Sequence, residues 1–218
     1  MKPLMKNGCI RNSRKAALSK LNNKELSVVD YIKAECKKAG VKIDFHLTKH
    51  VRVDSKTLCD GYFASRERVI VVAINCSKSS WLPVLIHEFC HMQQWLENTK
   101  SWKLVERLDS HSKVFDWLDG KDVSKIDKHL SAIRDLELDC EKRTVKLMKK
   151  WKLSVNTRLY VRGANAYIQL YNWMKEYRHW PNSAWSRKLL NKFPSTFRMD
   201  YTEITPHHKE ALVEAALL

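Results

Sequence analysis

Glycine and proline are scarce. Five of each among 218 residues leave few places where the chain must turn sharply or a helix must break, and this favours a helix-rich fold. Acid is also in short supply. There are 24 Asp and Glu against 40 Lys and Arg, for a formal net charge of +16 and a pI near 9.6. That imbalance suits a polyanionic partner such as nucleic acid, and it also serves solubility alone. No apolar run approaches the roughly 20 residues of a membrane span, so no membrane partner is expected. The N-terminus is basic but lacks a continuous apolar stretch, and it does not read as a secretory signal. The six cysteines, at positions 9, 36, 59, 76, 90 and 140, form no C-x-x-C pair. They read as reduced thiols, and an intracellular, cytoplasmic protein is expected.

What is present is enough for a core. Hydrophobic residues make up 44% and there are eight Trp, which suits one medium domain with or without a helical appendage. The most informative stretch is Trp81–Trp95, WLPVLIHEFCHMQQW. It contains His87-Glu88-Phe89-Cys90-His91, an H-E-x-x-H. Positions four apart share a helix face, so both imidazoles can meet one metal ion. Glu88 projects one residue along, where it can act on a water held by that metal. Ser79 or Ser80 is expected to cap the helix, with Pro83 in its first turn. Leu82, Leu85, Ile86, Phe89, Cys90 and Met92 wrap it in apolar surface, so a buried central helix is expected.

Upstream, residues 1–23 carry six Lys or Arg and no acid. They read as a basic arm with a short helix around Arg14–Leu21, either solvated or touching phosphates. Lys24–Ala39 has an approximate helical apolar face of Leu26, Val29, Tyr31, Ile32 and Cys36, stopped by Gly40. Val41–Leu47 and Val51–Val53 alternate like strands. Leu58–Ser65 and Arg68–Ile74 read as a hairpin. The second of these is apolar throughout, so both its faces are expected to be covered. The first reads as an edge, either an ordinary one or one that pairs with an extended peptide. Glu97–Asp122 reads as polar and irregular, a lid-like insertion or else a short helix packed on the core.

Val123–Trp151 repeats Ile126, Leu130, Ile133, Cys140, Leu147 and Trp151 at helical spacing. The stripe carries Glu137 inward, with Glu141 one turn on and Asp139 turned away. A buried carboxylate is costly unless a cation holds it. A catalytic zinc site needs a third protein ligand and an open position. Glu137 is the expected ligand. Glu141 is expected to accept from the outer nitrogen of a ligand histidine. A buried pair of Glu137 with Arg134 or Arg143 is the competing account, and Glu141, His111, His129 and Asp109 are the other ligand candidates. A metzincin arrangement is excluded, because the Gly and His that should follow the motif are replaced by Gln94 and Glu97. Lys142–Arg162 holds eight Lys or Arg and no acid, interleaved with Trp151 and Tyr160. It suits a solvated helix face or a nucleic-acid contact. Ala164–Trp180 reads as an aromatic-rich helix ended by Pro181, with Tyr167, Tyr171 and Met174 as core. The chain is then irregular until a short helix at His207–Leu218. Donors for a developing oxyanion are sought among His111, Tyr160, Tyr167, His179 and Tyr201.

HEFCH followed by ELDCE resembles the gluzincin pattern of zinc metallopeptidases. The chain is similar to small phage-type metallopeptidases and, more distantly, to the ImmA/IrrE-like and SprT-like groups. The resemblance spans about residues 58–150. It implies a zinc-bound water activated by Glu88 for attack on a peptide carbonyl. The chain as a whole is expected to be α+β: a small, mainly antiparallel sheet on the H-E-x-x-H helix and a glutamate helix, with a helical C-terminal portion. It is expected to divide into an arm (1–23), a zincin-like domain (24–155) and a helical extension packed on that domain (156–218), with one Zn2+ held by His87, His91 and Glu137. The implied function is an endopeptidase acting on a protein or peptide substrate inside a cell, including a phage-infected host. Two other classes fit the same residues: a nucleic-acid-binding protein with a structural zinc, and a scaffold without catalysis.

Overall fold

The computed structural model of the protein describes residues 18–53, 57–180, 187–198 and 200–216. Most of the basic arm, the first half of its expected short helix, Pro181 and the last two residues lie outside these. The described chain is α+β, as expected. It forms two compact units, Met1–Glu97 with Lys146–Val155, and Asn98–Val145 with Asn156–Leu218. Residues 98–145, expected with the metal-binding helix, thus group with the C-terminal portion.

The first unit opens with α1, Asn23–Lys38. Its start is a reciprocal capping box. Asn22 Oδ1 accepts from the Glu25 amide and Glu25 Oε2 accepts from the Asn22 amide, each at 2.9 Å. Two otherwise orphaned donors are satisfied in this way. The buried Glu25 also receives Lys78 Nζ at 2.8 Å. At the far end Gly40 takes φ +68°. The Val41 amide then reaches the Cys36 carbonyl and the Gly40 amide reaches Lys37, a Schellman closure that a side chain at position 40 would strain.

Five short strands follow: β1 Lys42–His46, β2 Val51–Arg52, β3 Leu58–Cys59, β4 Gly61–Ala64 and β5 Val69–Ala73. The main sheet runs β1-β5-β4. The hairpin β4–β5 is antiparallel, with Tyr62 opposite Val71. β1 lies parallel to β5, with Phe45 opposite Val72, so the sheet is mixed. β2 and β3 form a separate antiparallel pair. Ile70, Val71, Val72 and Ala73 are all buried, which is why β5 reads as an unbroken apolar run. β4 is an edge of its sheet, as its composition suggested.

Helix α2, Lys78–Leu96, packs on β4 and β5. Its approach depends on a missing side chain. A Cβ at Gly61 would stand 2.7 Å from Val84 Cγ1, 2.9 Å from the Val71 carbonyl oxygen and 3.4 Å from Glu88 Cγ. The Val71 oxygen is backbone and cannot rotate away. Gly61→Ala is therefore expected to destabilise the fold by about 1–3 kcal/mol through overpacking, measured by denaturant unfolding. No loss would show that β4 moves off α2 freely.

In the second unit, α3 Lys100–Leu108 and α4 Ser110–Leu118 occupy the stretch read either as an irregular insertion or as a short packed helix, and the helical alternative holds, with two helices in place of one. Thr99 caps α3 through the Trp102 amide. Asp109 ends α3 and begins α4 in the left-handed region, φ 50°. Trp102, Val105, Val114 and Trp117 supply buried faces. The density of polar residues conceals these two amphipathic stripes. Helix α5, Ile126–Lys150, continues the long stripe. Helix α6 spans Thr157–Tyr177, starting earlier than expected because Asn156 caps it by accepting from the Leu159 amide, and ending at a left-handed Arg178. α7 is Arg187–Leu190 and α8 is Pro206–Ala216. Ala166, Leu170 and Trp173 of α6 pack with Phe193, Ala211 and Leu212. Asn165 Nδ2 donates to the carbonyls of Pro194 and Thr196, and Tyr201 donates to Asn165 Oδ1. These bonds tie the irregular segment to α6. No helix among the described residues is long and apolar enough to cross a membrane.

Candidate metal centre

The capping of α2 differs from expectation. Ser77 is the N-cap, in extended geometry, and the Ser80 and Trp81 amides donate to its carbonyl. Ser80 lies inside the helix, where its hydroxyl meets that of Ser77 at 2.8 Å. The side chain of residue 79 is outside the described set. Pro83 consequently sits beyond the first turn, where it removes one ladder bond. Burial holds the helix despite that loss: Trp81, Leu82, Leu85, Ile86, Phe89, Cys90 and Met92 are all nearly inaccessible.

His87 and His91 face one another on this helix, with ring centroids 4.7 Å apart. Their Nε2 atoms are 3.1 Å apart. Two ligands at about 2.0–2.1 Å from a tetrahedral zinc lie about 3.3 Å from each other, so the donor pair fits such an ion. The same gap also suits an N–H···N hydrogen bond. His91 is oriented from behind: its Nδ1–H donates to Gln94 Oε1 at 2.8 Å, and Gln94 is fully buried. When the ring is neutral, that bond leaves Nε2 as its lone-pair nitrogen, the form a metal requires. Sequence reading offered Glu141 for this type of contact. Gln94 performs it for His91, and its position three residues on, one helical turn away, was the available signal. Gln94→Ala is expected to weaken zinc binding about 10–100-fold, read by competition with a chromogenic chelator. An unchanged affinity would rule out an orienting role.

Glu88 is buried, at 6% exposure, against the Gly61 backbone of β4. Cys59, just before that strand, has its thiol pushed up to about 12, first by burial and then by the negative charge of Glu88. Cys59 therefore stays protonated at neutral pH. Nothing in the sequence spacing joined Cys59 to Glu88.

In the second unit, α5 carries Glu137, Cys140 and Glu141 as buried side chains. Asp139 is turned outward and accepts from Arg143 Nε at 2.8 Å, as the helical phase required. Arg134 donates to Asp135 and Asn172. From α6, Tyr167 and Tyr171 stand beside the two glutamates, with their hydroxyl oxygens 3.1 Å apart. Both hydroxyls are held well above the ordinary tyrosine value, first by burial and next by the charge of Glu137. Trp180 meets both rings edge-on. The pair read as core is thus also the polar neighbour of Glu137. Tyr201, another donor candidate, already bonds Asn165 and the Arg198 amide. His129 is buried and its pKa is lowered, chiefly by that burial. His111 on α4 and His179 after α6 are exposed.

Comparison with family models, curated proteins and solved structures finds no match to this chain.

Proposed function

We propose that the protein is a zinc-dependent endopeptidase acting inside the cell, with His87 and His91 as metal ligands and Glu88 as general base. The observation that carries this reading is the H-E-x-x-H fork on α2: two convergent Nε2 atoms, one ring pre-oriented by Gln94, and a buried carboxylate between them in sequence. A purely structural site has no use for that carboxylate. Zinc, when bound, supplies Lewis-acid activation of water and of the scissile carbonyl.

Glu137, on the inward phase of its helix, is the proposed third ligand, with the buried thiol of Cys140 as the competing donor. Glu141 is the proposed acceptor from the outer nitrogen of a ligand histidine. Tyr167, beside Glu137, is the proposed donor to the developing oxyanion. The β4 edge offers backbone groups to an extended substrate peptide.

Metal analysis of the purified full chain is expected to find about one zinc equivalent. Casein cleavage is expected to stop on chelation and return with zinc. A preparation that binds no metal, or cleavage indifferent to chelator, would overturn the proposal.

A further inference from the structure

The C-terminal end of α5 belongs to the first unit and closes with Lys152 in the left-handed region, φ 47°. The Lys152 amide bonds the Lys149 carbonyl and the Leu153 amide bonds that of Met148. Around this end Lys146, Lys149, Lys150 and Lys152 are all exposed, and none of them forms an ion pair among the described residues. Trp151 lies between the last two in sequence and is half-buried. Its ring meets Tyr31 of α1 edge-on at 5.6 Å, and Tyr31 is 45% exposed. Tyr31 is backed by the buried Phe89, 6.2 Å away, so its ring is supported by packing. The acids flanking Tyr31 are already met: Asp30 pairs with Lys33 and Glu35 with Lys38. The four lysines are left as the uncompensated charge of this face.

A helix C-terminus favours cations through its dipole. The dipole does not call for a half-exposed aromatic pair beside them. Phosphates require mobile, unpaired cations, and unstacked bases require an aromatic face. The face has both. We propose that it binds single-stranded nucleic acid, with the lysines meeting phosphates and Tyr31, held by Trp151, stacking on a base. This site is independent of the metal chemistry.

The test uses the full chain and fluorescence anisotropy with a labelled thymidine oligonucleotide, with heparin as a polyanion that has no bases. Four phosphate contacts on a single strand give a log–log salt slope of about −3, or roughly fiftyfold weaker binding from about 50 to about 200 mM salt. Replacing Lys146, Lys149, Lys150 and Lys152 together by Ala is expected to weaken oligonucleotide binding at least about tenfold and flatten that slope. Tyr31→Leu keeps the apolar packing but removes the stacking ring. It is expected to weaken oligonucleotide binding about tenfold and leave heparin binding unchanged. Circular dichroism confirms that each variant folds. The proposal is overturned if the parent binds no oligonucleotide at low salt, if the quadruple variant binds as the parent does, or if Tyr31→Leu is silent. It is also overturned if duplex binds as tightly as single strand, which would mark a generic polyanion surface.

Discussion

Glu88→Gln is expected to fold, to keep its metal, and to lose at least about a hundredfold in peptidase turnover, the usual scale for a general base. Peptide hydrolysis needs a group that takes a proton from the attacking water and later delivers it to the leaving amine. In the proposed mechanism Glu88 has this role, through its one-residue offset from His87 on α2. Its carboxylate is buried, at 6% exposure. The amide in Gln matches it in size and in much of its hydrogen bonding, so the packing against Gly61 is preserved. It cannot accept the proton. Metal content and casein turnover should be measured on the same preparations. A Glu88→Gln enzyme as active as the parent would sink the hydrolase reading, whereas loss of metal in that variant would recast Glu88 as structural.

Removing a ligand should have a different signature. His91→Ala and Glu137→Ala are each expected to lower zinc affinity by at least about a hundredfold, beyond the 10–100-fold typical of a residue that only orients a ligand. Activity should fall with occupancy. Asp139→Ala serves as the internal control. It lies on the same helix and carries the same charge, but it is turned outward to Arg143, so its removal should leave occupancy unaltered. Cys140→Ser separates the two candidate donors of α5. If Cys140→Ser empties the site while Glu137→Ala does not, the third ligand is the thiolate. Equal effects of Glu137→Ala and Asp139→Ala would show that the carboxylates act only through net charge.

Much of this was legible in the chain because it is periodic. The i, i+4 spacing of His87 and His91 and the inward phase of Glu137 follow from 3.6 residues per turn. The β4–β5 hairpin announced itself through an apolar run and a polar turn. The failures have equally local causes. The Ser77 cap was missed because Ser77, Ser79 and Ser80 are chemically equivalent candidates, and only backbone geometry distinguishes them. A helix was one of two readings for Glu97–Asp122, and the division into α3 and α4 was hidden by a high density of charge around narrow apolar stripes. Their junction rests on a left-handed Asp109 in place of the usual Gly.

The sequence by itself determined the helical content, the identity of the histidine pair and its acid, the inward turn of Glu137 and Glu141, and the basic character of the surface. Each is a property of one element read along its own axis. The tertiary structure decided which groups meet across elements. It set Gly61 of β4 against Glu88, brought the Cys59 thiol under the charge of that carboxylate, stood the Tyr167–Tyr171 pair beside Glu137, and laid Tyr31 against Trp151. These residues are far apart along the chain. Their proximity is set by which apolar faces pack together when the core closes, and no spacing within a single segment encodes that choice.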